Sequence, residues 1–170
     1  MMWPMAVCWS RWVKWHLPVV AAAHAGWRGL AGAGTQRGAD GAGVIAQTIK
    51  AIAATTGQSL TDAARELTVW LGPAIGPDAF EVGEDVRAAF LTRTPGDDDA
   101  FVPRSTPGKY LADLPLIARR KLRALGVTNI CGNDGSALWC TVSQADRYFS
   151  HRRDQNFGGS GRLAALIWLK

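Results

Sequence analysis

His24 is the first residue whose type and position suggest chemistry. It follows a short apolar run, Val19–Ala23, and opens the segment His24-Ala25-Gly26-Trp27-Arg28-Gly29. Imidazole is the commonest metal-binding side chain for ions such as zinc and copper, and it serves as a neutral base at cellular pH. Arg28 can grip a phosphate or a carboxylate with two parallel N–H groups. Gly29, Gly32 and Gly34 permit a tight turn and a close approach of backbone to a ligand. Spacing alone leaves a second reading open for each side chain: His24 as a satisfied core histidine, and Arg28 as a surface ion-pair donor.

Other groups are less specific. Arg152 and Arg153, between His151 and Asp154, can bind an anion or form an Arg–Asp network that pins a turn. Asp113 can cap a helix, pair with a cation or catalyse. Cys131 and Cys140 lie in apolar stretches and read as inert core thiols, although Trp139 and Thr141 leave Cys140 room to line a site. Neither has a basic neighbour in sequence that lowers a thiol pKa. No serine nucleophile elbow, phosphate loop or CxxC pair is present.

The elements that must position these residues follow from pattern. Val19–Ala23 reads as a buried strand, and Val44, Ile45, Ile49 and Ile52 recur at helical spacing over about 41–56, with Gly57 as the stop. Leu67–Leu71 is a second strand. Gly72–Pro77 is a rigid, irregular loop, and Glu84 and Asp85 lead a short helix at its positive end. Residues 92–108, with three prolines and Asp97-Asp98-Asp99, read as a solvated loop. Tyr110–Leu125 carries an apolar stripe of Leu111, Leu114, Ala118, Leu122 and Leu125 and reads as a helix ended by Gly126. Its Arg119, Arg120, Lys121 and Arg123 suit the negative helix end. Val127–Cys131, Leu138–Val142 and Leu163–Leu169 read as strands, the last one central because it is apolar on both faces. This order of elements indicates a mixed α/β domain.

Composition sets the bounds. The 170 residues are 48% hydrophobic and 19% charged, which excludes a disordered chain and allows one domain with a sizeable core. The net charge of +5 suits anionic partners without choosing among them, and no aromatic-interleaved basic motif supports nucleic-acid binding. Three cysteines at irregular spacing argue against a disulfide framework and for a reducing compartment. The apolar block Leu163–Leu169 is far too short to span a bilayer. Residues 1–18 differ from the rest: four of the eight tryptophans fall here, and Arg11 and Lys14 interrupt the apolar run where a secretory signal has its charge first. They read as a poorly ordered terminus, with a membrane-surface helix as the alternative.

Five segments in order carry a resemblance. They are His24–Leu30; Leu71–Pro77 with Phe80-Glu81-Val82-Gly83; Tyr110–Leu114; Phe149–Asp154; and Gly161-Arg162 with Ile167-Trp168-Leu169. Over Val19–Lys170 the chain strongly resembles the bacterial laccase-domain family. Its members were first called polyphenol oxidases, are now regarded as purine nucleoside phosphorylases that also act as adenosine deaminases, and include a branch called peptidoglycan editing factor.

The resemblance implies a cytoplasmic enzyme with a three-layer α/β sandwich (α+β type) and a mixed β-sheet. It implies a metal, usually zinc and alternatively copper, held by two histidines and a cysteine. His24 occupies the position of one ligand and so takes a metal-binding and catalytic role. Phosphorolysis needs a cation to hold phosphate as co-substrate beside the ribose, and Arg28 is the candidate. The implied partners are a purine nucleoside and phosphate, with no nucleic acid and no membrane; the oligomeric state stays open. Alternative functions are a hydrolase acting on cell-wall precursors and an inactive remnant.

The departures matter as much. The family's Gln-Val-His-Gly segment, which carries another ligand, has no counterpart in this sequence. Where the family has Ala-Asp-Cys, this chain has Ala6-Val7-Cys8-Trp9, and Cys8 is not assigned as a ligand. His151 stands where the family usually has tyrosine. The chain looks like the C-terminal portion of a single family domain (19–170), incomplete on its N-terminal side and joined to an atypical start (1–18) of the kind that a shifted reading frame or a wrong start site produces.

Overall fold

The computed structural model describes residues 18–33, 43–155, 158–159 and 161–168, and the backbone of 7–10. In chain order the elements are β1 (Val7–Ser10), β2 (Val20–Ala22), α1 (Trp27–Ala31), α2 (Val44–Thr56), α3 (Leu60–Glu66), β3 (Leu67–Leu71), β4 (Glu81–Gly83), α4 (Glu84–Leu91), a 3-10 turn (Pro95–Ala100), β5 (Phe101–Pro103), β6 (Lys109–Ala112), α5 (Leu114–Ala124), β7 (Asn129–Gly132), a second 3-10 turn (Ala137–Trp139) and α6 (His151–Asp154). They fall into two compact units. One holds the described residues of 4–72, 118–132 and 164–170; the other holds those of 73–117 and 133–163.

The first unit is organised by β3. Leu67, Val69 and Leu71 alternate with Thr68 and Trp70, so one face is fully buried and the other half-buried, as period-two side chains dictate. The sheet order is β2-β1-β3-β7; β1 is antiparallel to both neighbours, and β3 and β7 are parallel. The start that reads as irregular in sequence thus contributes a strand. The reason is long-range: Cys8 pairs in register with Ala21 on one side and Val69 on the other, a pairing invisible to local pattern.

Ile45, Ile49, Ile52 and Ala53 make the buried stripe of α2, and Gly57 ends it in the left-handed region at φ 69°. Helix α3 packs on α2 and has no counterpart among the elements expected from sequence pattern. The Ser59 hydroxyl accepts from the Asp62 N–H at 3.1 Å, which satisfies one otherwise orphaned donor of the first turn. Replacing Ser59 by Ala is expected to cost about 1 kcal/mol, read as a lower denaturant midpoint at unchanged slope. An unchanged midpoint would remove the cap from the stability account.

The second unit holds the sheet β4-β6-β5, antiparallel throughout. Here the expected helix over 110–125 is corrected: its first turn is strand β6, paired on both sides, and α5 begins only at Leu114. Asp113 marks the change. Its carboxylate accepts from the Leu116 N–H at 2.8 Å, so the side chain caps the helix. Sheet pairing overrides the helical stripe, of which Leu114, Ala118 and Leu122 stay buried.

Three further expectations change. The solvated loop 92–108 contains the 3-10 turn and β5, and Asp97 is buried while Asp98 pairs with Arg87 at 2.6 Å. The strand over 138–142 is a turn with a single bridge, Ala74 to Cys140. Residues 161–168 form no strand, so the central-strand reading of Leu163–Leu169 fails over that stretch; Leu169 lies outside the described residues. The expected loop over 35–43 also lies mostly outside them.

Candidate functional site

The turn from β2 into α1 places His24 and Arg28 in the first unit. β2 ends at Ala22, and the chain crosses Ala25 and Gly26 before α1 closes its first turn with Leu30 N–H on the Gly26 carbonyl at 2.9 Å. Leu30 and Ala31 are buried and anchor the helix. Gly32, at φ 71°, ends it in a conformation that a side chain resists, and its N–H donates to the Arg28 carbonyl. His24 and Arg28 are both exposed. Nearby atoms desolvate His24 enough to lower its pKa, so the ring is neutral at pH 7. The Arg28 guanidinium lies over the Trp27 ring, 4.4 Å from its centroid, which restrains the cation without consuming its N–H groups.

The metal implied by the resemblance needs three donors. Among the described residues no three His, Cys, Asp or Glu side chains come together as a donor set. His24 supplies one imidazole, and the Cys8 side chain lies outside the described residues. The described residues by themselves do not fit the three-donor centre.

The arginine pair is structural. Arg153 donates to the carbonyls of Thr141 at 2.9 Å, Val142 at 3.3 Å and Tyr148 at 3.0 Å, and meets Asp154 at 2.6 Å. Arg152 donates to the Glu81 carbonyl at 3.2 Å, with its guanidinium 5.5 Å from the Phe80 ring centroid. Of the two readings open in the sequence, the pinned turn is the one built. Replacing Arg153 by Met is expected to cost about 2–4 kcal/mol, because carbonyls satisfied by a charged donor lose it and Asp154 loses its cationic neighbour while keeping the Ser150 N–H. Thermal denaturation checks this; a melting temperature within a degree of the parent would make the network ornamental.

Cys140 is the group that sequence reasoning undervalued. Its thiol is buried, and burial is the largest single influence, raising the pKa. Hydrogen bonds from the Ser143 hydroxyl and from the N–H groups of Ser143, Gly76 and Val142 together outweigh it, so the pKa lies below the usual range. The Gly76 N–H stands 3.2 Å from the sulfur. Ser143 and Val142 lie close in sequence but carry no charge to signal this, and Gly76 arrives from a distant loop. Cys131, read as a core thiol, is instead exposed on β7, its Sγ 3.5 Å from the Val69 carbonyl. An open cleft of about 550 Å³ in the second unit is lined by Arg87, Asp98, Asp99, Phe101 and Tyr110. Its guanidinium is held by Asp98 and by Glu84 at 2.8 Å, which leaves it poorly placed for an added anion.

Parallel and antiparallel sheets together with helices define a mixed α/β protein, in which one strand-to-helix turn carries an exposed histidine and an exposed arginine. The family described as multi-copper polyphenol oxidoreductase laccase matches residues 13–170, and the chain belongs to it. A purine nucleoside phosphorylase of Pseudomonas aeruginosa is 44% identical over 151 residues, 89% of this chain and 52% of that protein. The purine nucleoside phosphorylase YfiH of Escherichia coli is 41% identical over 150 residues, 88% of this chain and 51% of that protein. A Neisseria meningitidis protein of solved structure superposes with a TM-score of 0.67 at 40% identity, over 91% of this chain and 53% of that one. YlmD of Geobacillus stearothermophilus gives 0.64 at 26% identity, over 92% and 52%. The chain thus spans about half the length of the relatives it matches. No helix among the described residues is long and apolar enough to cross a membrane.

Proposed function

We propose that this chain carries part of a site for phosphorolysis of purine nucleosides, in the cytoplasm, with inosine or adenosine as substrate and inorganic phosphate as co-substrate. The observation that carries the reading is the identity of 41–44% over 150–151 residues to proteins named purine nucleoside phosphorylase. In this reaction a phosphate oxygen attacks the anomeric carbon of the ribose. The bond to the purine nitrogen breaks, the base leaves with the electron pair and takes up a proton, and ribose 1-phosphate remains. Arg28 is suited to hold the phosphate through charge-assisted bonds. His24, neutral and exposed, is suited to carry a proton or donate its ring nitrogen. Of the donors that the family's metal, zinc or copper, would take, His24 is the one this reading assigns to the chain.

The test is incubation of the chain with inosine and with adenosine, with and without phosphate. Release of hypoxanthine or adenine only when phosphate is present supports phosphorolysis. Conversion of adenosine to inosine adds deamination, the second activity the family suggests. Base release that is equally fast without phosphate would replace phosphorolysis with hydrolysis, and no turnover of either nucleoside would sink the reading for this chain.

A further inference from the structure

Trp27 and Arg28 are consecutive residues of α1. Side chains one position apart on a helix do not face each other. The Arg28 guanidinium nevertheless lies 4.4 Å from the Trp27 ring centroid, so its long side chain folds back across the ring instead of reaching into solvent. Trp27 is half-buried, and Leu30 and Ala31 on the same helix are buried. The ring is thus seated, while the cation on it is exposed.

Two other arginines lie over rings, and both are engaged. Arg87, over Tyr110, is held by Glu84 and Asp98; Arg152, over Phe80, donates to the Glu81 carbonyl. Among the described residues no carbonyl or carboxylate accepts from the Arg28 guanidinium. Stacking covers the face of a guanidinium and leaves the N–H groups on its rim open. Their fork matches two oxygens of one tetrahedral oxyanion.

We propose that Trp27 is a positioning residue, whose ring holds the Arg28 guanidinium ready for one tetrahedral oxyanion. That the oxyanion is inorganic phosphate rests on the phosphorolysis reading. A free arginine side chain gives up rotamer freedom when it binds, and the ring removes part of that cost before phosphate arrives. The aromatic contact and the saved ordering together amount to about two- to tenfold in phosphate affinity. The effect falls on binding, so KM for phosphate rises and kcat holds when the ring is lost.

The experiment titrates the full 170-residue chain with inorganic phosphate in a calorimeter. The parent is compared with Trp27→Leu, Trp27→Phe, Arg28→Met and the double variants, and melting temperatures are measured alongside. Trp27→Leu is expected to raise the phosphate Kd about two- to tenfold, and Trp27→Phe, which keeps a ring, to fall between it and the parent. With Arg28→Met in place, Trp27→Leu is expected to change Kd no further, because the ring acts only through the cation. A tryptophan that merely supports the helix would not give that pattern. If Trp27→Leu does not fold, Trp27→Phe closes the same cycle. A Kd unmoved by the Trp27 variant or by Arg28→Met, an equal loss with and without Arg28, or a parent that binds no phosphate would each overturn the proposal. Turnover is scored separately. The expected binding pattern without release of purine base leaves the positioning role standing and counts against phosphorolysis. Phosphate-dependent turnover whose KM is unmoved in the Trp27 variant leaves phosphorolysis standing and removes the role of the ring.

Discussion

A chain with alanine at position 24 is expected to lose about 100-fold or more of any phosphate-dependent release of purine base, while its melting temperature stays that of the parent. The size follows from what a positioned proton-transfer group contributes, on the order of 10² to 10⁴ in rate. The second clause follows from exposure: His24 stands on the surface after β2, and truncating it removes no core packing. The two readouts together separate a chemical role from a structural one. Loss of activity with loss of stability would leave the role undefined and would be followed by His24→Asn, which keeps the volume and a polar amide. Full activity in the alanine variant would end the case for His24. Arg28→Lys provides the companion measurement. It keeps the charge and loses the fork, so the expected outcome is a raised KM for phosphate with a smaller change in kcat.

Gly132→Ala is expected to produce the largest stability loss, about 3 kcal/mol or more. The residue ends β7 at φ 79°, in the left-handed region that costs a side chain about 1–2 kcal/mol. A methyl group there would also press on the Leu71 carbonyl and stand 2.8 Å from the Trp70 ring, closer than real contacts come. Both obstacles belong to β3, so relief requires parting the parallel pair β3–β7. Overpacking of this kind adds about 1–3 kcal/mol to the backbone term. Chemical denaturation measures it, and a loss below about 0.5 kcal/mol would mean that the strand end is looser than its geometry implies.

Much of the architecture is legible where local pattern and tertiary demand agree. Leu67–Leu71 alternates and is a strand over those same residues. Val44–Thr56 has its buried stripe at helical spacing and its glycine stop. The elements that local pattern misplaces are those decided by distant partners. Lys109–Ala112 carries part of a helical stripe, but β4 and β5 claim its backbone from both sides. Val7–Ser10 shows no strand signal of its own and is held between β2 and β3. The Leu163–Leu169 reading fails for the converse reason, an apolar run without a strand beside it among the described residues. Of the site, the turn bearing His24 and Arg28 is readable from its glycines and from the family resemblance. The lowered pKa of Cys140 is not, because the bonds that set it, from the Ser143 hydroxyl and N–H, from Gly76 far along the chain and from Val142, exist only in the folded turn.

The parallel pairing of β3 with β7 has a kinetic corollary. The whole of 72–128 lies between the two strands, so their contact closes a long loop before any ladder bond rewards it. A hairpin can zip from its turn; this pair cannot. On a ribosome, β3 is complete long before β7 is made, and its edge waits uncovered through more than a third of the chain's synthesis. Protection against wrong pairing during that interval must come from elsewhere, and a chaperone that shields the Leu67–Leu71 edge would raise the yield of native protein more than one that acts after synthesis.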